Sequence, residues 1–309
     1  MSSPSLPDGV LAASLTPLTD RGAPNGPALA DHVQQLLNTG CDAVLLFGTT
    51  GEGLSFTVDE RTAALEAVLD SGVPSHRLLV GTGALPLPDT IALSSHATRH
   101  EVGGILMMPP FHLPNPTDTG LASAYDAVIQ GVGDDDLQLY FYHYPELFGT
   151  AVSFPIIEEL RTQYPEVVAG VKDSSGEWDH FESLCSSFPE LQMFTGTERF
   201  LAPGLAAGGA GCISATANLT APIAQAVLQA WRAGDDPDAI QSVLTTRREA
   251  LSRFPNISAL KQMMAWHDDQ PEWTRVRPPL ESLQPRLVEE LRTVYDDTQA
   301  ACAEWGTGN

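Results

Sequence analysis

The sequence predicts a (β/α)8 barrel with a C-terminal helical extension, and two patterns carry this prediction. Short apolar runs that end in glycine, proline or small polar residues recur eight times between residues 10 and 218, and the intervals between them have helical patterns. Near-continuous apolar runs are typical of parallel strands covered on both faces, and their regular alternation with helices is typical of a barrel. A doubly wound sheet is the alternative, although it rarely needs eight units of such even length. The 309 residues, 43% of them hydrophobic, can bury a core of this size.

The predicted strands follow one another at regular intervals along the chain. They comprise residues 10–17, 43–48, 78–83, 104–110, 137–144, 167–173, 191–196 and 211–218. After residue 218 the strand pattern stops, and four helices are predicted over residues 222–231, 236–254, 257–267 and 280–305. The first of these would close the barrel. We therefore predict a barrel over residues 1–225 and a helical extension over residues 226–309, with fraying after Trp305.

Helices between the strands are indicated by apolar spacing and by capping residues. One helix is predicted by apolar residues at positions i, i+4, i+7 and i+8, which are Leu29, Val33, Leu36 and Leu37. Thr57 followed by Glu60 fits a capping box for a helix over residues 57–70. Asp89 and Thr119 are the predicted N-caps of the next two helices.

Composition excludes several functional classes. The formal net charge of −23 would repel phosphate backbones and anionic lipids, so we expect neither nucleic-acid nor membrane partners. No apolar run reaches 18 residues, and residues 1–10 lack the pattern of a signal peptide. The four cysteines stand singly without metal-ligand spacing, so we expect reduced thiols, no metal site and no cofactor. A cytoplasmic small-molecule enzyme fits these exclusions.

Lys172 is the most informative candidate residue. Of the 16 basic residues only Lys172 and Lys261 are lysines, and Lys172 closes a predicted buried strand. The carboxyl ends of the strands carry the active site of a (β/α)8 barrel. Burial there would lower the pKa of the ammonium group, and a neutral amine attacks carbonyl groups to form Schiff bases. A lysine that snorkels at the strand end or pairs with Asp173 is the structural alternative.

Other reactive groups fall at the same predicted barrel mouth. Gly48, Thr49, Thr50 and Gly51 offer hydroxyl and backbone N–H groups that could hold a carboxylate, or they form an ordinary turn. Tyr142 could transfer a proton or be a core tyrosine with a satisfied hydroxyl group. Isolated histidines at this rim are His112 and His143, and each could be an acid–base group or a polar rim residue.

Four motifs in register resemble the dihydrodipicolinate synthase / N-acetylneuraminate lyase family of class I aldolases and lyases. They are Gly48-Thr49-Thr50-Gly51-Glu52, Tyr142-His143-Tyr144-Pro145, Gly170-Val171-Lys172-Asp173-Ser174-Ser175-Gly176 and Gly208-Gly209-Ala210-Gly211-Cys212-Ile213-Ser214. The resemblance spans roughly residues 8 to 295. It implies a homo-oligomer, a tetramer or a dimer, that binds pyruvate or a 2-oxo acid.

The resemblance also implies roles for individual residues. Lys172 would form the imine, Tyr142 would be the proton shuttle, and Thr49 and Thr50 would bind the pyruvate carboxylate. The substrate pocket would be completed by Gly48, Gly196, Ile213, Ser174 and His112. Ser174 and Ser175 could bind sugar hydroxyl groups or cap the following helix. His112 stands where family members commonly present a tyrosine to a neighbouring subunit, so it could replace that tyrosine as a proton carrier.

Departures from the family pattern bear on the substrate. Leu147 stands where the lysine-pathway synthases usually place an arginine, which favours a sugar-acid aldolase. Sialic acid is not favoured, because Glu198-Arg199 and Ala215 replace residues that are usual in sialic acid lyases. We expect Arg199 to pair with Glu198 or Glu52 at the rim rather than to bind a substrate carboxylate.

Three functions remain open from the sequence. The favoured one is a lyase that cleaves a 2-oxo-3-deoxy sugar acid, or a dehydratase that acts on such an acid through the same imine. The second is 4-hydroxy-tetrahydrodipicolinate synthase (dihydrodipicolinate synthase), which condenses pyruvate with an aldehyde. The third is a non-catalytic barrel that binds a 2-oxo acid.

Overall fold

Eight parallel strands close into a barrel in which each strand pairs with the next and the last pairs with the first. The computed structural model describes residues 6–113 and 115–306. The strands are β1 (Gly9–Ala13), β2 (Ala43–Leu46), β3 (Leu78–Gly81), β4 (Gly104–Met107), β5 (Leu139–His143), β6 (Val168–Asp173), β7 (Gln192–Thr195) and β8 (Gly211–Ser214). The predicted fold class is confirmed. Most predicted strands run too far at their carboxyl ends, because the residues there turn into the loops of the barrel mouth.

The helices alternate with the strands and then continue alone. Around the barrel lie α1 (Gly26–Asn38), α2 (Val58–Asp70), α3 (Leu87–Arg99), α4 (Asp118–Val132), α5 (Pro145–Phe148), α6 (Phe154–Gln163), α7 (Trp178–Ser187) and α8 (Leu201–Ala206). They are followed by α9 (Ala217–Ala233), α10 (Asp238–Leu251), α11 (Asn256–His267) and α12 (Pro285–Trp305). No helix of the described residues is long and apolar enough to span a bilayer.

The helix starts confirm one predicted cap and correct two. The Thr57 side chain accepts from the N–H of Glu60, and the Glu60 carboxylate accepts from the N–H of Thr57, so the capping box is present. Asp89 is not an N-cap, because α3 already begins at Leu87 and Pro88 fits its first turn without losing a hydrogen bond. Thr119 is not an N-cap either, since the Thr117 side chain accepts from the N–H of Gly120.

The helix predicted over residues 222–231 begins earlier than predicted. Helix α9 starts at Ala217 and passes through Pro222, which removes one backbone hydrogen bond without ending the helix. The neighbouring residues Ala221 and Ile223 are buried, and their packing holds the helix together. The predicted boundary after residue 225 falls inside α9, and the division into two domains stays a prediction. Residues 307–309, where fraying was expected, lie outside the described residues.

The apolar core has three parts. One fills the barrel interior with side chains that include Leu11, Leu45, Leu79, Leu106, Tyr140 and Phe194. A second lies between the strands and the surrounding helices, and a third lies between the extension helices, around Leu260, Met263 and Leu291. Because the interior is filled, ligands can reach the barrel only at its mouth.

Candidate active site

Lys172 and Tyr142 are neighbours on adjacent strands at the barrel mouth. They are paired in the register of β5 and β6. Side chains alternate between the two faces of a strand, so Tyr140 and Tyr142 both face the interior, whereas Phe141 and Val171 pack against the outer helices. The Lys172 Nζ atom lies 4.5 Å from the centroid of the Tyr142 ring. The strand register therefore fixes the amine beside the phenol.

The environment of Lys172 favours a neutral amine. Its side chain is 4% exposed. Burial lowers the pKa of Lys172 to about 7, and no charged group among the described residues contributes to that shift. The Tyr142 ring favours the ammonium form, but a single cation–π contact is worth only about 0.5–2 kcal/mol. Near neutral pH a large share of the molecules thus carries a nucleophilic amine.

The Tyr142 hydroxyl group belongs to a short chain of hydroxyl groups. Its oxygen lies 3.3 Å from Oγ1 of Thr49. Burial raises the pKa of Tyr142, and hydrogen bonds to Thr49 and Ser174 oppose that shift. The phenol therefore remains protonated near neutral pH and can pass a proton between the cavity and Thr49.

The loop after β2 presents Thr49 and Thr50 to the cavity. Phe47 and Glu52 enclose this loop, and both adopt left-handed backbone conformations, with φ of 55° and 58°. Such residues each cost on the order of 1–3 kcal/mol and persist only where surrounding contacts enforce them. Among the described residues, the backbone N–H groups of Thr49 and Thr50 have no acceptor. They are available to an anion.

Glu52 anchors that loop to the extension. Its carboxylate accepts hydrogen bonds from the Nζ atom of Lys261 and, at 2.9 Å, from the backbone N–H of Arg277. The Lys261 amine also donates to the carbonyl of Arg275 at 2.7 Å. Both side chains of the Glu52–Lys261 pair are fully buried. The sequence alone did not identify this ion pair, because 209 residues separate its partners.

A cavity of about 230 Å³ opens above Lys172. Seven of the predicted site residues line it, namely Thr49, Thr50, Tyr142, Lys172, Ser174, Gly196 and Ile213. Gly196 is required there, because a Cβ atom at this position would lie 2.2 Å from Oγ of Ser174. The structure thus brings most of the predicted site together around one amine.

Gly48 and His112 lie outside this cavity. Gly48 borders a neighbouring apolar cleft with Leu54 and Leu147. His112 is exposed and lines a larger, mainly apolar cavity of about 510 Å³ beside α3 and α4. The larger cavity lacks Lys172, so its size does not make it the reaction site. Within one subunit His112 is separate from the amine.

His143 points to the outer side of the sheet. Its Nδ1 atom lies 3.2 Å from the carbonyl oxygen of Val152, and its ring stacks on His180 at 4.2 Å. His180 in turn bonds to the carboxylate of Asp173 at 2.8 Å. Asp173 is therefore held by His180 and is not a partner of Lys172.

The two serines after β6 have different positions. Ser174 lines the cavity, whereas the Ser175 hydroxyl group accepts from the N–H of Glu177 just before α7. Neither serine is the N-cap of α7, which is Glu177, and a sugar contact of Ser174 stays a prediction.

The prediction that Arg199 pairs with Glu198 or Glu52 is wrong, because its ion-pair partner is a different residue. Arg199 lies 3.5 Å from Glu249 of α10 and not beside Glu198 or Glu52. Glu198 is buried and accepts from the hydroxyl groups of Ser214 and Thr220, each at 2.6 Å, and of Thr216. Hydroxyl groups of β8 and of the start of α9, between the barrel and its helices, satisfy Glu198, so it has no need of an arginine.

The extension contributes cavity residues that sequence reasoning missed. They are Arg248, Ser252 and Asn256, and Tyr144 and Thr197 also join the lining. No sequence signal identifies the three extension residues, because only tertiary packing decides which face of α10 meets the barrel mouth.

Comparisons with known proteins agree with this geometry. Residues 6–297 match the model of the Dihydrodipicolinate synthetase family. An uncharacterized DapA-like lyase of Chloroflexus aurantiacus is 36% identical over 299 residues, which cover 95% of this chain and 98% of the relative.

Solved structures give the same result. The chain resembles dihydrodipicolinate synthase from Agrobacterium tumefaciens with 31% identity and a TM-score of 0.82, covering 95% of this chain and 99% of the other. A variant of 2-keto-3-deoxygluconate aldolase from Sulfolobus solfataricus shares the fold, with a TM-score of 0.85 and 20% identity over 96% of this chain and 98% of the other.

Proposed function

The chain belongs to the Dihydrodipicolinate synthetase family of class I aldolases and lyases, and from this premise we propose that it cleaves a 2-oxo-3-deoxy sugar acid through an imine on Lys172. A dehydratase reaction on such an acid would use the same imine. One observation carries the proposal: a buried amine with a pKa lowered to about 7 faces the Tyr142 hydroxyl group and the threonine loop in one cavity. We propose no cofactor and no metal in this reaction.

Each step of the cleavage has a group in place. The Lys172 amine attacks the C2 carbonyl of the substrate, and loss of water gives the imine. Tyr142 gives its proton to the hydroxyl group that leaves as water, and the resulting phenolate then accepts the proton of the C4 hydroxyl group. The C3–C4 bond then breaks, its electron pair moves into the protonated imine, and an aldehyde leaves. Protonation of the enamine at C3 and hydrolysis release pyruvate and restore the amine.

The threonine loop would bind the substrate carboxylate. The unpaired N–H groups belong to Thr49 and Thr50, which line the same cavity as Lys172. Charge-assisted hydrogen bonds to a carboxylate are stronger than neutral ones and fix its orientation. Held there, the neighbouring C2 carbonyl would lie next to the amine, which is the positioning that imine formation needs.

Dihydrodipicolinate synthase is the second candidate, and one relative favours it. The synthase from Agrobacterium tumefaciens is 31% identical to this chain. Aspartate semialdehyde, the aldehyde substrate of such an enzyme, carries an ammonium group. No acidic side chain lines the described cavity to bind that group. Leu147 lines the neighbouring apolar cleft, so the arginine that the synthases usually place at this position is missing, and the arginines of the cavity come from other positions. These two observations favour the sugar acid.

A substrate panel tests the proposal. Purified enzyme is incubated with 2-oxo-3-deoxy sugar acids, and pyruvate release is measured with lactate dehydrogenase. In parallel, pyruvate and aspartate semialdehyde are supplied and their condensation is followed. We expect cleavage of at least one sugar acid and no condensation. Condensation without cleavage would replace the proposal by the synthase.

We propose further that the enzyme is a homo-oligomer of the cytoplasm. Leu85 and Leu113 are 50% and 62% exposed beside the apolar cavity that contains His112, and a second subunit would cover them. The four cysteines are free thiols, which fits a reducing compartment. Sedimentation equilibrium tests the assembly. A dimer or tetramer supports it, and a monomer at micromolar concentration contradicts it.

A further inference from the structure

The charges around the Lys172 cavity are opposite to those of the whole chain. The chain has 39 acidic and 16 basic residues. Nevertheless, the charged side chains that line the cavity are Lys172, Arg199 and Arg248, and none of the lining residues is acidic. A cavity of one sign in a chain of the other sign attracts and retains ligands of opposite charge. Pyruvate needs only one carboxylate site, so the cavity holds more positive charge than pyruvate uses.

Arg248 is the cation that the imine chemistry leaves unused. It comes from α10 and is half-buried at the cavity. One of its terminal nitrogens donates to Oγ of Ser252 at 3.2 Å, and its Nε atom is buried without a partner. No carboxylate of the described residues lies within ion-pair distance of it, whereas Arg199 is engaged by Glu249.

A guanidinium group that has no carboxylate partner and a buried Nε–H without an acceptor points to an anionic ligand at the cavity. A buried Nε–H without an acceptor is unfavourable until a ligand supplies one. A guanidinium group binds carboxylate and phosphate oxygens through two parallel hydrogen bonds. Tyr144, Ser252 and Asn256 line the same cavity and offer further polar groups.

We propose that Arg248 binds a second anionic group at the end of the substrate far from its 2-oxo acid. This inference rests on the proposed function, since the first carboxylate is assigned to the threonine loop. The substrate class is then a 2-oxo-3-deoxy sugar acid that ends in a carboxylate or a phosphate group. Arg248 acts as a specificity-determining residue, and Arg199, neutralised by Glu249, adds a weaker attraction.

The cavity volume agrees with this assignment. About 230 Å³ is below the range of about 300–1,000 Å³ that is typical of ligand pockets, so the cavity suits a short substrate. A short acid with an anion at each end would occupy the threonine loop and Arg248 together. A neutral hydroxymethyl end would leave the guanidinium group without an anion.

Three sugar acids of equal chain length test the inference. They end in a hydroxymethyl group, a carboxylate and a phosphate, and kcat/KM is measured for each with the wild type, Arg248→Gln and the control Arg253→Gln. Arg253 is exposed, stacks on Phe254 and does not line the cavity. In the wild type we expect at least one anionic-ended acid to be preferred over the neutral one by about 10- to 100-fold.

The outcomes separate the inference from the proposed function. Arg248→Gln should reduce that preference at least tenfold, Arg248→Lys should reduce it less, and Arg253→Gln should retain it. The better of the carboxylate and phosphate substrates identifies the terminal group. Equal kcat/KM for all three acids in the wild type, or a preference that survives in Arg248→Gln, overturns the inference and leaves the aldolase intact. Absence of cleavage of every acid overturns the proposed function itself.

Discussion

The two lysines of the chain, Lys172 at the barrel mouth and Lys261 where the barrel meets the extension, are both buried but have different surroundings. Burial lowers the pKa of each. Lys261 contacts the carboxylate of Glu52, which raises its pKa again, and it also donates to the carbonyl of Arg275. Lys172 has an aromatic ring, a cavity and no carboxylate. Burial without an anionic partner therefore favours the neutral amine of Lys172, whereas burial beside Glu52 does not do so to the same extent for Lys261.

The two regions are connected through one loop. Lys261 holds Glu52, Glu52 ends the strained loop, and that loop carries the threonines that face Lys172. Lys261, through Glu52, thus supports the position of the threonine loop that lines the cavity of Lys172. Three substitutions and a pH profile test this difference between the two regions.

The largest effect is expected for Lys172→Met. Turnover should fall by at least about 10⁴-fold, because no other group of the cavity can form the imine. The same variant should be more stable than the wild type by on the order of a few kcal/mol at pH 7, since a buried amine without a partner is replaced by an apolar side chain. Steady-state kinetics and urea denaturation measure the two effects.

The stability gain should depend on pH. The pKa of Lys172 is about 7 in the folded state and near 10.5 in the unfolded state, so the unfolded chain binds the extra proton between these values. The destabilisation by Lys172 is complete below pH 7 and disappears as pH rises towards 10.5. A gain that stays constant from pH 7 to pH 10 would mean that the amine is not desolvated.

Tyr142→Phe should slow cleavage by about 10²–10⁴-fold. The substitution removes the hydroxyl group that lies 3.3 Å from Thr49 and keeps the ring beside Lys172. Imine formation with pyruvate should therefore persist while the bond-breaking step slows. Single-turnover kinetics separate the two steps, and a cleavage rate within threefold of the wild type would remove Tyr142 from proton transfer.

Glu52→Gln should destabilise the fold by about 3–5 kcal/mol, because it leaves Lys261 buried without an anion. It should also raise KM for the 2-oxo acid, since the threonine loop loses its anchor. Glu60→Gln is the matched control: Glu60 pairs with Arg277 at a half-exposed site, and its loss should cost about 1 kcal/mol or less. Equal losses of stability in the two variants would contradict a special role for the buried pair.

The pH profile of cleavage is the smallest expected effect. Imine formation needs the neutral amine, so kcat/KM should fall about tenfold per pH unit below pH 7 and level off above it. Steady-state rates between pH 5 and pH 9 measure the profile. A kcat/KM that still rises about tenfold per pH unit up to pH 9 would show that Lys172 titrates as an ordinary solvated lysine.

The barrel and most of its site could be predicted because their signals are local. Each strand has its own apolar run, and Lys172, Tyr142, Thr49 and Ile213 all fall at carboxyl ends that a closed barrel brings together. The resemblance of four motifs to a known family added roles for individual residues, which the spacing of residues alone does not predict.

The rest of the site depends on packing between distant segments. Arg248 reaches the cavity only because α10 lies over the barrel mouth, and Glu52 meets Lys261 across 209 residues. Two predicted helix starts were wrong for a different reason. Asp89 and Thr119 carry side chains that can cap a helix. However, α3 already begins at Leu87 with Pro88 in its first turn, and the side chain of Thr117 caps α4.

Reductive trapping is the most direct test of whether Lys172 forms an imine with pyruvate. The enzyme is incubated with pyruvate, reduced with borohydride, and examined by intact-mass and peptide mass spectrometry. One pyruvate adduct per chain is predicted, located on Lys172 and absent from Lys261 and from the Lys172→Met variant. A folded sample that shows no adduct, or one that carries the adduct on Lys261, would contradict the account.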